Sequence, residues 1–141
     1  MRQFGFLAVL LVPLHAFAGP AEDVAAVERS WSEAFARNDW GALAALYTED
    51  ATLYGTKPEL SAGRDAVRAY YDGLPKGVFK GARFDAQVVR QVTADVLTAS
   101  GPVTFEREVG GQKSELAFRI TLVLVRQDGN WRIAAHHASP R

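Results

Sequence analysis

Cysteine is absent from this 141-residue sequence, and 16 basic residues balance 16 acidic ones. Each shortage removes a class of function. Without a thiol there is no cysteine nucleophile, thiolate zinc site, iron–sulfur cluster or redox pair. Without a cationic excess the chain is a poor match for nucleic acid, whose binders displace counterions with Lys and Arg. A polybasic membrane-surface segment is disfavoured on the same ground. Phosphate and metal chemistry lack their motifs too. No Gly-rich loop follows a strand, since Gly110-Gly111 reads as a hairpin turn, and the His and Asp residues do not fall at zinc-ligand spacing. No cofactor and no metal are expected.

What is present is the composition of a globular domain, 48% hydrophobic and 11% aromatic. A chain of this size buries roughly two-thirds of its unfolded surface, so a hydrophobic core suffices without disulfides. Residues 1–18 read as an address. Arg2 precedes an apolar run from Phe4 to Leu14, and Ala16-Phe17-Ala18 has the small-any-small pattern of a secretory cleavage site. The run falls short of the ~20 residues that a membrane-spanning helix requires. Gly5 and Pro13 disfavour a buried N-terminal helix. The expectation is a secretory signal peptide cleaved after Ala18, a periplasmic or secreted product, and one domain over residues 19–141 with no membrane insertion after cleavage.

Within that domain Val24, Val27, Trp31, Ala34 and Phe35 recur at steps of three and four, which predicts a helix over 22–37. Asn38 is placed to stop it and Asp39 to cap the next. A second helix is predicted over 40–47, with Leu43, Leu46 and Tyr47 inward, then a short strand over 51–54. Residues 55–62 read as a loop, and a third helix runs from Gly63-Arg64-Asp65 to Asp72. From there the signal is β-type, rich in Val, Thr, Ile and Phe. Strands are predicted over 83–93, 96–100, 103–109, 115–126 and 131–137. The breaks at Ala94-Asp95, Gly101-Pro102, Gly110-Gly111 and Asp128-Gly129 make them antiparallel neighbours. The fold class is α+β, a curved antiparallel sheet wrapped around three N-terminal helices.

Three segments carry a resemblance: Tyr47-Thr48-Glu49-Asp50-Ala51-Thr52-Leu53-Tyr54, the helix beginning Gly63-Arg64-Asp65-Ala66-Val67, and Asp128-Gly129-Asn130-Trp131-Arg132-Ile133. They resemble the nuclear transport factor 2-like superfamily, with its cystatin-like roll. Within it the chain is most similar to SnoaL-like proteins and to bacterial relatives of the calcium/calmodulin-dependent kinase II association domain, whose His-rich tail the ending His136-His137-Ala138 resembles. The resemblance implies a cone with a pocket at its mouth, a homodimer formed through the outer sheet face, and in some association domains a larger ring. The basic and His residues of the kinase hub pocket fall on Val67, Leu122 and Ala138, so that ligand does not carry over. The general base of the steroid-isomerase branch corresponds to Asp50.

The ionisable residues give the candidate site. His136 and His137 are neighbours in a strand and point to opposite faces, so they cannot chelate one metal together. Which one faces the pocket depends on the turn. A two-residue Asp128-Gly129 loop puts His136 on the face of Arg119, whereas a three-residue Gln127-Asp128-Gly129 loop puts His137 there and His136 with Ile120 and Leu122. The related family's hairpin favours the second. Arg119 interrupts an apolar strand and needs either Glu106 or Glu115 as an ion-pair partner, or an anionic ligand. Asp50 either caps a turn or is a base abstracting a proton α to a carbonyl, with Tyr47, Tyr54 or Tyr70 donating to the oxyanion. Trp31 and these tyrosines suit either a core or a mostly apolar pocket. Ser139 lies beside the histidines without the strained elbow of a serine hydrolase.

Three functions follow. One is an exported, dimeric domain that binds a small, largely apolar molecule, with Arg119 and one terminal histidine as polar anchors. The second is a cofactor-free isomerase, cyclase or dehydratase working by proton transfer through Asp50 and His136 or His137. The third is an oligomerisation module.

Overall fold

The computed structural model describes residues 19–141, so the expected signal peptide lies outside the described residues. Three helices come first or are interleaved early: α1 (Pro20–Ala36), α2 (Trp40–Ala44) and α3 (Arg64–Asp72). The strands are β1 (Tyr47–Tyr54), β2 (Ser61–Ala62), β3 (Phe79–Phe84), β4 (Val88–Thr93), β5 (Val96–Val109), β6 (Gln112–Gln127) and β7 (Asn130–Pro140). They form one curved, unclosed sheet in the order β2-β1-β7-β6-β5-β3, with β4 also pairing β5.

Local chemistry explains the helix ends. Pro20 opens α1, where a missing N–H costs nothing, and Glu22 and Asp23 in the first turn complement the helix dipole. Asn38 takes a left-handed conformation at φ 55° and ends the helix. The Asp39 side chain then accepts the Ala42 N–H at 2.9 Å, capping α2. The predicted stripe of α1 is buried, and one further residue lies on that side, Glu28.

The second helix stops earlier than its periodicity implies. Tyr47, expected on its inner side, is instead the first residue of β1 and pairs with Ile133. The Ile133 N–H donates to the Leu46 carbonyl at 2.8 Å. This parallel pairing with the last strand joins residues far apart in sequence, and it overrides the local helical register. It is the one exception to an otherwise antiparallel sheet.

Gly101-Pro102, expected as a turn, lies inside β5. On one edge of β5, β4 covers residues 96–100 and β3 covers 103–107, and the Gly-Pro pair falls in the gap between them. Proline's missing N–H therefore costs no ladder bond there. Its carbonyl accepts from the Asp85 N–H at 3.2 Å and from Gln87 Nε2 at 2.8 Å. The same gap divides the strand expected over 83–93 in two.

The last hairpin sets the faces of the histidines. Asp128 (φ 50°) and Gly129 (φ 76°) form a two-residue loop, with Arg126 opposite Trp131. Leu124 then pairs with Ile133 but Val123 with Ala135, leaving Ala134 as a bulge. Beyond the bulge His136 opposes Leu122 and His137 opposes Thr121. The loop is the shorter alternative, yet the bulge moves the register by one residue. The faces are those expected of the longer loop: His136 with Ile120 and Leu122, His137 with Arg119.

Candidate functional site

The concave face of the sheet and the three helices enclose an aromatic cluster. Trp31 stacks on Phe35 with ring centroids 4.9 Å apart and meets Tyr71, Phe84 and Phe105 edge-on. Such pairs fix ring positions as well as burying area. Between this cluster and the sheet lies a cavity of about 260 Å³. Trp31 and Phe35 of α1, Tyr70 and Tyr71 of α3, and Phe105, Leu116 and Phe118 of the sheet are among the residues that line it. Among the described residues, His136 is the one with an imidazole that lines the cavity, and no Asp, Glu, Lys or Arg lines it.

His136 is 5% exposed and tied to its neighbours on one side of its ring. Its Nδ1 lies 2.7 Å from the Tyr47 hydroxyl. The same hydroxyl accepts the Trp31 Nε1–H at 3.0 Å and lies 3.1 Å from the Tyr71 hydroxyl. Nε2 has no hydrogen-bond partner among the described residues. Burial, and then the positive charge that neighbouring His137 can carry, push the His136 pKa down to about 3. The imidazole is therefore neutral through the physiological range. Burial likewise holds Tyr47 and Tyr71 protonated, well above an ordinary phenol.

Tyr70, another lining residue, is held by the loop that follows β1. Its hydroxyl accepts the Thr56 N–H at 2.9 Å and lies 3.1 Å from Thr56 Oγ1. The ring lies flat enough on the chain at Gly55 that a Cβ there would overlap the Tyr70 hydroxyl and Cζ. Gly55 and Thr56, read from sequence as featureless loop, thus form part of the cavity wall.

The expected site residues divide between three places. Trp31, Tyr70 and His136 line the cavity, and Tyr47 supports His136 from behind it. Arg119 does not. It lies on the outer face of the sheet, in a hollow shared with His137, Thr121 and Ser139. Its guanidinium donates to the Pro140 carbonyl at 3.3 Å, and neither Glu106 nor Glu115 pairs with it. Solvent, rather than a partner, answers the charge there. Tyr54 is 47% exposed, beside His137 at 6.4 Å between ring centroids, and does not reach the cavity. Asp50 is exposed and lines a separate hollow with Glu49, Arg64, Asp128 and Arg132. Asp50 and His136 are therefore not brought together, because alternation along β1 turns Asp50 outward while Leu53 faces in. His137 shares the outer face with Asp50 but lines a different hollow.

Two further buried residues, one lining the cavity and one outside it, had weaker signals in the sequence. Tyr71 is found by the spacing of Val67, Tyr70 and Tyr71, which share one face of α3. Glu28 falls on the buried stripe of α1, is 8% exposed, and leaves Oε1 without a partner. Burial raises its pKa to about 7. Among the described residues no three His, Asp or Glu side chains gather to hold a metal ion, and no helix is long and apolar enough to cross a membrane.

Comparison with known proteins agrees with this architecture. No curated protein sequence matches the chain. A solved structure from Xanthomonas campestris, named as a calcium/calmodulin-dependent protein kinase II association domain, is similar with a TM-score of 0.80 and 29% identity, covering 92% of this chain and 93% of its own. A scytalone dehydratase-named structure from Novosphingobium aromaticivorans has a TM-score of 0.76 at 18% identity, covering 86% and 83%. A calcium/calmodulin-dependent kinase II hub homology domain from Chlamydomonas reinhardtii has a TM-score of 0.75 at 20% identity, covering 87% and 99%. The model of the SnoaL-like domain matches residues 24–141, and the chain belongs to that family.

Proposed function

We propose that this protein is an exported domain that binds a small, largely apolar molecule in the cone cavity, with His136 as its polar anchor, and that it acts as a homodimer. The observation that carries the reading is the cavity: about 260 Å³, walled by aromatic and aliphatic side chains, with one buried imidazole whose far nitrogen is unengaged. Pockets of this kind bind through apolar contact and take their orientation from a few polar groups. Export rests on the pattern of residues 1–18. The dimer rests on the family resemblance and would use the outer sheet face that carries Arg119, Thr121 and His137.

Proton-transfer catalysis by Asp50 and His136 loses support because Asp50 is exposed in one hollow while His136 is buried at another, and a base must stand within hydrogen-bond reach or one water of its proton. The assembly reading keeps one specific support, the similarity to the Xanthomonas protein named as an association domain.

Native mass spectrometry of the protein recovered from a bacterial periplasm tests the proposal. The expected spectrum is a dimer of chains beginning at Gly19 and carrying a reproducible small-molecule adduct that His136→Ala loses. A bare higher-order ring, unaltered by that substitution, favours the assembly module. An uncleaved, cell-retained chain contradicts export.

A further inference from the structure

The Tyr47 hydroxyl makes three contacts with one proton and two lone pairs, and that count leaves two arrangements for the proton of His136. Trp31 Nε1 only donates, so it occupies one lone pair of the Tyr47 oxygen. The other lone pair and the proton are left for Tyr71, at 3.1 Å, and His136 Nδ1, at 2.7 Å. If Tyr47 donates to Tyr71, His136 must carry its proton on Nδ1. The proton of Tyr71, a residue only 3% exposed, then has no acceptor among the described residues. If Tyr47 donates to His136, Tyr71 donates to Tyr47, and the donor left over is the His136 Nε2–H, on a residue that lines the cavity, where a bound molecule can accept it. Each arrangement leaves one donor over, so the Tyr47–His136 contact decides. At 2.7 Å it is shorter than the usual N–H···O bond and has the length of a bond donated by O–H. A phenol is also a stronger donor to the basic imidazole nitrogen than the imidazole N–H is to a phenol oxygen, so the second arrangement prevails.

We infer that His136 is fixed as the neutral tautomer protonated on Nε2, so that the cavity offers a hydrogen-bond donor and selects uncharged molecules bearing a carbonyl-type acceptor over hydrocarbons and carboxylates of the same shape. This rests on the cavity-binding reading and adds the chemical class of the ligand. A carboxylate is disfavoured because no Lys or Arg among the described residues lines the cavity to offset its desolvation. A hydrocarbon fits the walls but leaves the Nε2–H unanswered. The donor polarises the carbonyl and keeps its proton. Giving it up would be made good only through Nδ1 by Tyr47 and then Tyr71, ending in a tyrosinate where burial opposes one. Tyr47 is thus a positioning residue, acting on the ligand through the imidazole.

Two measurements on the mature protein test this. In a long-range proton–nitrogen correlation spectrum across neutral pH, His136 should show the Nε2–H pattern. An Nδ1–H or imidazolium pattern overturns the assignment. Calorimetric titration with acetophenone, ethylbenzene and benzoate should give acetophenone roughly 5–10-fold tighter than ethylbenzene, with benzoate weakest. In Tyr47→Phe the tautomer signature should become mixed and the preference for acetophenone should shrink. If that variant does not fold, the wild-type spectrum still decides. Equal binding of acetophenone and ethylbenzene, or tightest binding of benzoate, overturns the selectivity while leaving the cavity reading intact. Absence of binding by all three contradicts the cavity reading itself.

Discussion

The Tyr47 hydroxyl and His136 Nδ1 lie 2.7 Å apart, although 89 residues separate them in the chain. One begins the first strand and the other lies near the end of the last, and the parallel pairing of those strands is what brings them together. The contact locks a neutral imidazole at the wall of an apolar cavity.

Removing the hydroxyl should be costly to the fold. Tyr47→Phe leaves the Trp31 indole N–H and one proton of the Tyr71–His136 chain without partners in a buried site. Each orphan costs about 1–3 kcal/mol, so a total loss of roughly 2–6 kcal/mol is expected in urea unfolding at neutral pH. A loss below about 0.5 kcal/mol would show that water replaces the bonds.

Two buried titratable groups give stability an unusual pH dependence. The His136 pKa falls from 6.5 to about 3 on folding, so between those values the unfolded chain holds more protons and stability rises with pH. Glu28 moves from 4.5 to about 7, so between those values the folded chain holds the extra proton and stability falls as pH rises. The contributions of these two groups therefore add to a rise up to about pH 4.5, a level stretch to about 6.5 and a small fall to about 7. Glu28→Gln removes the falling part. Relative to wild type it should gain roughly 3 kcal/mol between acid and neutral pH. Parallel pH curves for the two proteins would contradict the burial of Glu28.

Gly55 and Tyr70 should be coupled. Alanine at position 55 would drive its Cβ into the Tyr70 ring, displacing it from Thr56. Such overpacking costs about 1–3 kcal/mol. In a Tyr70→Ala background the cost of Gly55→Ala should largely vanish, and thermal unfolding of the four proteins of the cycle measures the coupling. Additive effects would place Tyr70 elsewhere.

The placement of the ionisable residues separates binding from outer-face roles. Arg119→Ala and Asp50→Asn should change the affinity for acetophenone by less than about twofold, because neither lines the cavity. His136→Leu should erase the preference over ethylbenzene.

The helices, the long strands and the α+β class were legible because their patterns are local: the Trp31 stripe, Asn38 as a stop, and the Val- and Thr-rich runs. What escaped the local pattern depends on distant partners. Tyr47 becomes a strand residue only through Ile133, and Pro102 stays in a strand only because β3 and β4 leave a gap opposite it. The bulge at Ala134, which decides the face of each histidine, has no sequence mark of its own. Arg119 suggested a site because it interrupts an apolar strand, and Asp50 because the resemblance places a general base there, yet strand alternation turns both outward.

The most direct test of the central claim is titration of the mature, isotopically labelled protein with acetophenone, followed through the side-chain signals of Trp31, His136 and Arg119. Cavity binding predicts saturable shifts of the Trp31 indole and the His136 ring, with the Arg119 guanidinium unmoved. Shifts confined to Arg119 and His137, or none at saturating probe, would contradict it.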